Sequence, residues 1–199
     1  MSLRSLVLSV SVEVPPAASA RDPQDGGNAE RCSFCGGVIG LCSVADAAAP
    51  SCALCRLVRH LERPRIDDEA RLIWLPEMGQ AAPISLVREM HCRLRGLGER
   101  LDAESAPTLT TDDRICLYHT QKALLARVEP AAAGLGSAQP SRLADALLRL
   151  SSPAYRRRAW LLSGLRLLPL GRFFDGDDDI YPEIVESWRR TQPVAAGIT

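Results

Sequence analysis

Residues 31–62 read RCSFCGGVIGLCSVADAAAPSCALCRLVRHLE and hold five of the seven cysteines in a chain of 199 residues. Cys32 and Cys35 form one C-x2-C pair, Cys52 and Cys55 a second, and sixteen residues lie between the pairs. A two-residue spacer lets both thiolates turn onto one ion, and two such knuckles complete a tetrahedral sulfur shell that zinc accepts without strain. Cys32, Cys35, Cys52 and Cys55 are therefore the expected metal ligands and Zn2+ the expected cofactor. An iron–sulfur centre or an empty, degenerate site are the alternatives. Gly36 and Gly37 follow the first pair, where the chain has to turn tightly beside the ion. Cys42 is left over and reads as a small buried hydrophobe rather than a substitute ligand.

The second pair opens the run CALCRLVRHLE, in which Leu54, Leu57, Val58 and Leu61 recur at helical spacing. Cys55 then falls in the first helical turn, where the helix dipole stabilises a thiolate. A hairpin knuckle followed by a knuckle at a helix start is the layout of a treble-clef or zinc-ribbon module. Four cysteines close the coordination shell, whereas a catalytic zinc keeps a position open, so the ion is expected to be structural. A treble clef can still carry nuclease chemistry, as in His-Asn-His endonucleases, if a histidine and an asparagine stand between the knuckles. Residues 36–51 contain neither, and the chain is not expected to be an enzyme.

Twenty-four basic residues balance 24 acidic ones and the isoelectric point is near 6.8, so no global charge draws the chain to nucleic acid or an anionic membrane. Lys122 is the only lysine. The N-terminal stretch MSLRSLVLSVSVEVPPAASA imitates a short secretory signal. However, Ser9, Ser11 and Glu13 interrupt it at every second position, and Leu6, Leu8, Val10, Val12 and Val14 form the other face of a half-buried strand. No other run is apolar enough to span a bilayer. The expected location is cytoplasmic, where thiols stay reduced and clustered cysteines favour metal.

Residues 15–28 read as a linker. The run ARLIWLPEMGQ holds a short strand stopped at Pro76. PISLVREMHCRLRGL is a helix with Leu86, Val87, Met90, Leu94 and Leu97 on its apolar stripe and Arg88, Arg93 and Arg95 mostly off it. A helix capped by Thr111 runs from Asp112 through Leu117 and Leu124 to Val128 and stops before Pro130, where a linker EPAAAGLGSAQP follows. Then come a helix capped by Ser141, one begun by Ser152 and Pro153, and a last one around PEIVESWRR. The fold class is α+β: a treble-clef, His-Asn-His-like zinc module followed by a mainly helical C-terminal part. Its segments are an N-terminal strand and linker (1–30), the zinc-knuckle module with the following strand and helix (31–98), and a helical region packed on it (99–199).

The remaining polar groups give weaker signals. His60, His91 and His119 are scattered and read as surface or half-buried residues, with no partner at ligand spacing. YRRRAWLLSGLR pairs three arginines with aromatics, a composition that can bind phosphate or single strands. Tyr155, Ala159 and Leu162 nevertheless keep an apolar face there, and the arginines read as a solvated one. DGDDDIYPEIVE imitates the acidic spacing of a calcium loop, at Asp175, Asp177, Asp179, Glu183 and Glu186. Ile180 stands where that loop needs glycine, which leaves an acidic loop before a helix.

The knuckles CSFC and CALC, then LIWLPEMGQAAPISLVREMH, then LRLLPLGRFF and IVESW, resemble the IcmJ (DotN) family of type IVB secretion and the related I-type conjugation systems. The Leu75-Pro76-Glu77 signature, Gln80 and the Leu167-Leu168-Pro169 element stand in that family's order, over residues 31 to 190, although the span between knuckles is shorter here. The resemblance implies a zinc-containing, non-catalytic adaptor that grips an extended C-terminal segment of the coupling ATPase and so reaches the inner membrane indirectly. Trp160 and Trp188 are candidate contacts because tryptophan is enriched at interface hot spots, with core packing as the competing role. The rival readings are a diverged nuclease using His60 or His91, and a zinc-dependent nucleic-acid binder using the arginine-rich helix.

Overall fold

The structure, a computed structural model, describes residues 3–11, 30–41, 49–101 and 112–191. Cys42, Val12, Val14, the 15–28 linker and the expected Thr111 cap lie outside these residues. The elements are α1 (Ala53–Arg59), α2 (Ile66–Glu69), β1 (Ala70–Trp74), α3 (Ala81–Gly96), α4 (Asp112–Leu125), α5 (Val128–Leu135), α6 (Pro140–Leu148), α7 (Ser152–Arg156), α8 (Arg158–Leu161), β2 (Leu165–Pro169), β3 (Phe174–Asp175), β4 (Asp178–Asp179) and α9 (Tyr181–Thr191). The expected mixture of helices and short strands is present. None of the described helices is long and apolar enough to cross a membrane.

β1 and β2 pair antiparallel, with Leu72 opposite Leu167, so the central sheet draws one strand from either side of residue 98. A two-stranded sheet has two open edges, and each is satisfied by a device outside the strands. On the β1 side, the Leu72 and Trp74 amides donate to the carbonyls of Ala138 and Arg127, at 2.9 and 3.0 Å. On the β2 side, the buried Gln80 amide imitates a strand residue: its Nε2 donates to the Leu167 carbonyl at 2.9 Å, and its Oε1 accepts from the Leu167 amide at 2.8 Å. Gln80, recognised in the sequence only as part of a signature, is thus a side-chain edge cap.

Packing around this sheet corrects several expectations. α3 lies against both α9 and β2, so its buried arc is wider than the expected stripe. Ile84, Val87, Met90 and Leu94 are buried, and so are Arg88 and His91, while Leu86 and Leu97 are exposed. The helix expected to stop before Pro130 stops at Leu125, and α5 starts at Val128 with Pro130 in its first turn. The missing proline N–H is harmless there because first-turn amides have no intrahelical acceptor. α5 then ends at Gly136, whose φ of 79° supplies the left-handed C-cap. Seven of the twelve residues of the expected linker therefore belong to a helix packed on β1.

Ser141 is not the cap of α6. Pro140 takes the first helical position, and Asp67 of α2 caps from outside, accepting the Ser141 amide on Oδ1 (3.0 Å) and the Ser141 hydroxyl on Oδ2 (2.5 Å). The arginine-rich helix is two short pieces, α7 and α8, broken at Arg157. The break rotates Ala159 out to solvent, so the expected face of Tyr155, Ala159 and Leu162 is not continuous. The acidic run folds as the β3–β4 hairpin, turned at Gly176, and Asp179 Oδ1 accepts from the Phe173 and Tyr181 amides at 3.0 and 3.1 Å.

The N-terminal segment runs extended across the knuckles rather than within a sheet. Leu6 and Leu8 are buried, as the period-two alternation requires. The Arg4 amide donates to the Ser33 carbonyl, and Ser9 exchanges backbone bonds with Val58 and Leu61. A single apolar cluster joins these residues to Leu57, Leu72, Leu167 and Trp188.

Candidate metal centre

The first knuckle is a tight hairpin. The Gly36 amide donates to the Cys32 carbonyl (2.9 Å), the Cys32 amide donates to the Gly37 carbonyl (2.8 Å), and Arg31 and Val38 form an antiparallel bridge. Gly36 turns the chain with a φ of 73°, a conformation that side chains with a Cβ resist. Gly37 leaves room for a side chain from α3: a Cβ there would meet the guanidinium of Arg88, which would have to move. The second knuckle sits where the helical spacing places it. Cys52 has extended backbone at the N-cap of α1, and Cys55 is in the first turn, where the positive end of the helix favours thiolate. The Ser33 amide donates to the Pro50 carbonyl at 3.0 Å and ties the two knuckles together.

The four sulfurs converge. All lie within 4.8 Å of one another, and Cys35 and Cys52 are 3.7 Å apart. Four thiolates on a zinc ion at about 2.3 Å would stand roughly 3.8 Å apart, so a modest contraction of the widest pair completes a tetrahedron. Cys32, Cys52 and Cys55 are buried and Cys35 is partly so. Sulfurs this close cannot all carry charge on their own. Hydrogen bonds from Cys35, Cys52 and Cys55 hold the Cys32 thiol far below the usual range, while its hydrogen bonds to Cys32, Cys35 and Cys52, together with burial, push the Cys55 thiol far above it. A dication relieves that competition by binding every sulfur as thiolate.

Outside the ligands, the centre is braced against α9. The Leu41 amide donates to the Ser187 hydroxyl at 3.0 Å, and Trp188 Nε1 donates to the Ile39 carbonyl at 3.0 Å. Gly40, with a φ of 72°, lies so close to the Trp188 ring that a Cβ would come within 2.8 Å of Cδ1. Arg88 stacks over Trp188 at 4.4 Å, is almost fully buried, and leaves Nη1 without a hydrogen-bond partner among the described residues. It brings positive charge to the knuckle, and a zinc ion with four thiolates is net anionic. The second glycine of the knuckle was the one signal in the sequence that could have revealed this contact.

The other singled-out residues do not join the centre. Among the described residues, the four cysteines are the only grouping of metal-ligating side chains. His91 is 1% exposed and its Nδ1 is hydrogen-bonded to the Tyr181 hydroxyl at 2.6 Å. Burial holds Tyr181 far above the usual phenol range and lowers His91 to about 4, which keeps the phenol protonated and the imidazole neutral. His60 is buried rather than superficial, with Nδ1 3.1 Å from Glu62. His119 is exposed on α4 beside Tyr118. The two candidate tryptophans separate completely: Trp188 is 0% exposed and belongs to the core, whereas Trp160 is 69% exposed.

No protein-family model matches the chain, and no curated protein is significantly similar to it.

Proposed function

We propose that this chain is a non-catalytic, zinc-stabilised adaptor with a treble-clef-like module, related to the IcmJ (DotN) proteins and binding the coupling ATPase of a type IVB secretion or conjugation system. The observation that carries the structural role is the four-sulfur cluster, a donor set that leaves zinc no open position for substrate. The second knuckle at the start of α1, after a hairpin knuckle, supports the treble-clef reading. Neither His60 nor His91 joins the cysteines, which weighs against the nuclease alternative.

The surface around α7 and α8 supports a docking role. Trp160 and Leu161 are 69% and 50% exposed, with Leu148 and Leu150 also at the surface nearby in the chain. Residues 148–161 contain four arginines and no carboxylate. Apolar anchors inside a basic rim suit an acidic, extended partner segment. The same surface favours one second reading, binding of single-stranded nucleic acid, because Arg157 lies 5.4 Å from the Trp160 ring centre beside exposed Arg156.

The test is native mass spectrometry of the full chain co-expressed with the C-terminal portion of the coupling ATPase from the same organism. One zinc and one bound ATPase segment, with the segment lost in Trp160→Ala, is the expected result. Zinc without the segment would leave the structural ion and remove the adaptor. Binding to a single-stranded oligonucleotide that weakens steeply with salt would then favour the second reading.

A further inference from the structure

One arginine of the run 156–158 turns away from the surface. Arg158, half-buried, donates from Nε and Nη2 to the Ser9 hydroxyl (3.3 and 3.1 Å) and from Nη1 to the Tyr155 carbonyl (3.2 Å). Its guanidinium also lies 4.3 Å from the centre of the Tyr155 ring. All these partners are uncharged, and no carboxylate among the described residues pairs with it. A guanidinium has five N–H donors, more than these contacts use.

Beside it is a cleft of about 260 Å³. The period-two alternation of the N-terminal segment, which sends Leu6 and Leu8 into the core, delivers Ser5, Ser9 and Ser11 to this cleft. The opposite wall is Arg158 with Tyr155, and Arg59 closes the side nearest the knuckle, stacked 4.8 Å over Phe34. Among the described residues, the lining thus holds two guanidinium groups and three serines, and no carboxylate. Such an enclosure focuses positive potential.

We propose that this cleft binds a phosphomonoester group. A phosphate group is an anionic partner for the Arg158 guanidinium, whose described contacts are all uncharged, and its several tetrahedral oxygens can engage hydroxyl and guanidinium donors arriving from different walls, which a planar carboxylate does less well. The volume is below the roughly 300–1,000 Å³ of sites that enclose a drug-sized ligand. The site therefore takes the phosphate end of a small molecule, either a mononucleotide or free inorganic phosphate. Neither the ATPase nor the zinc ion is needed for this binding.

The experiment titrates inorganic phosphate and, separately, AMP into the zinc-loaded full chain at constant ionic strength, with chloride as control. It follows phosphorus NMR line width and the melting temperature. The expected result is saturable broadening and a rise in Tm, with affinity reduced by about tenfold or more in Arg158→Gln, as loss of a charge-assisted hydrogen bond implies. Ser5→Glu, at an exposed position, places a carboxylate in the cleft and should abolish binding without unfolding the protein. Tighter binding of AMP than of phosphate assigns a nucleotide, and equal or weaker binding assigns the phosphate group itself. No saturable change with either probe, or binding unaltered by both substitutions, overturns the proposal.

Discussion

Glu69 is 0% exposed and keeps a carboxylate in the interior by receiving three hydrogen bonds, from Arg63 Nε (2.8 Å), Arg63 Nη2 (2.6 Å) and the Phe174 amide (2.7 Å). The pair joins α2 to the β3 hairpin, and the same arginine donates to the Phe174 carbonyl. Removing one member of a buried pair leaves the other charge unpaired, at a cost of about 3–5 kcal/mol. Glu69→Ala should lower the urea unfolding free energy by that amount, and a loss below about 1 kcal/mol would mean that water replaces the pair. His91 provides a pH dependence. Its folded value near 4 lies below the unfolded value of about 6.5, so the unfolded chain binds a proton first. Stability from this group is complete above pH 6.5 and is lost as pH falls towards 4, by about 3 kcal/mol in all. Unfolding curves across that window should slope for the wild type and flatten for His91→Gln. Equal slopes would show that His91 does not carry the effect.

The helices show how far local signals reach. Pro130 marks a stop by propensity, yet the same residue is tolerated in a first turn, and only the contact of α5 with β1 decides between the two. Ser141 has the chemistry of a cap, but Asp67, 74 residues away, occupies that role. Asp67→Ala should therefore destabilise the protein by about 1 kcal/mol, the usual cost of a lost N-cap, and Ser141→Ala by less. If Ser141→Ala proves the more damaging in chemical denaturation, the cap is local after all. Gln80 follows the same logic at the edge of β2, where one side-chain amide substitutes for a strand. No periodicity announces it, because the residue it serves is 87 positions distant.

Across the fold, the four-cysteine cluster and the apolar core are one body. Cys32, Cys52 and Cys55 belong to the same buried cluster as Leu72, Leu167 and Trp188, and α9 clamps the first knuckle through Ser187 and Trp188. Structural zinc contributes apparent binding energy of about 10–16 kcal/mol in small zinc domains, comparable with the whole stability of about 5–15 kcal/mol typical of a domain. Chelation, or Cys52→Ser, should accordingly abolish the near-ultraviolet dichroism of Trp188 together with the helical signal, in one transition. Retention of the tryptophan signal after zinc loss would show that β2 and α9 fold without the knuckles. Unchanged zinc content in Cys52→Ser would remove that cysteine from the ligand set.

What the sequence by itself determined was local. The two C-x2-C pairs, the helix begun by the second, the short strand before Pro76, the buried alternation of Leu6 and Leu8 and the tight turn at Gly36 all follow from neighbours within a few positions, where spacing and backbone chemistry suffice. Tertiary structure decided which residues meet across the chain: Arg88 against Gly37, Asp67 on α6, Gln80 on β2, Tyr181 on His91, and Arg158 beside the N-terminal serines. It also decided which of two tryptophans is buried. Both have the same intrinsic preference for apolar surroundings, and only the position of α9 against the knuckle enclosed Trp188, while the break at Arg157 left Trp160 outside. Contacts of this kind depend on how elements pack, and packing is written in no single segment.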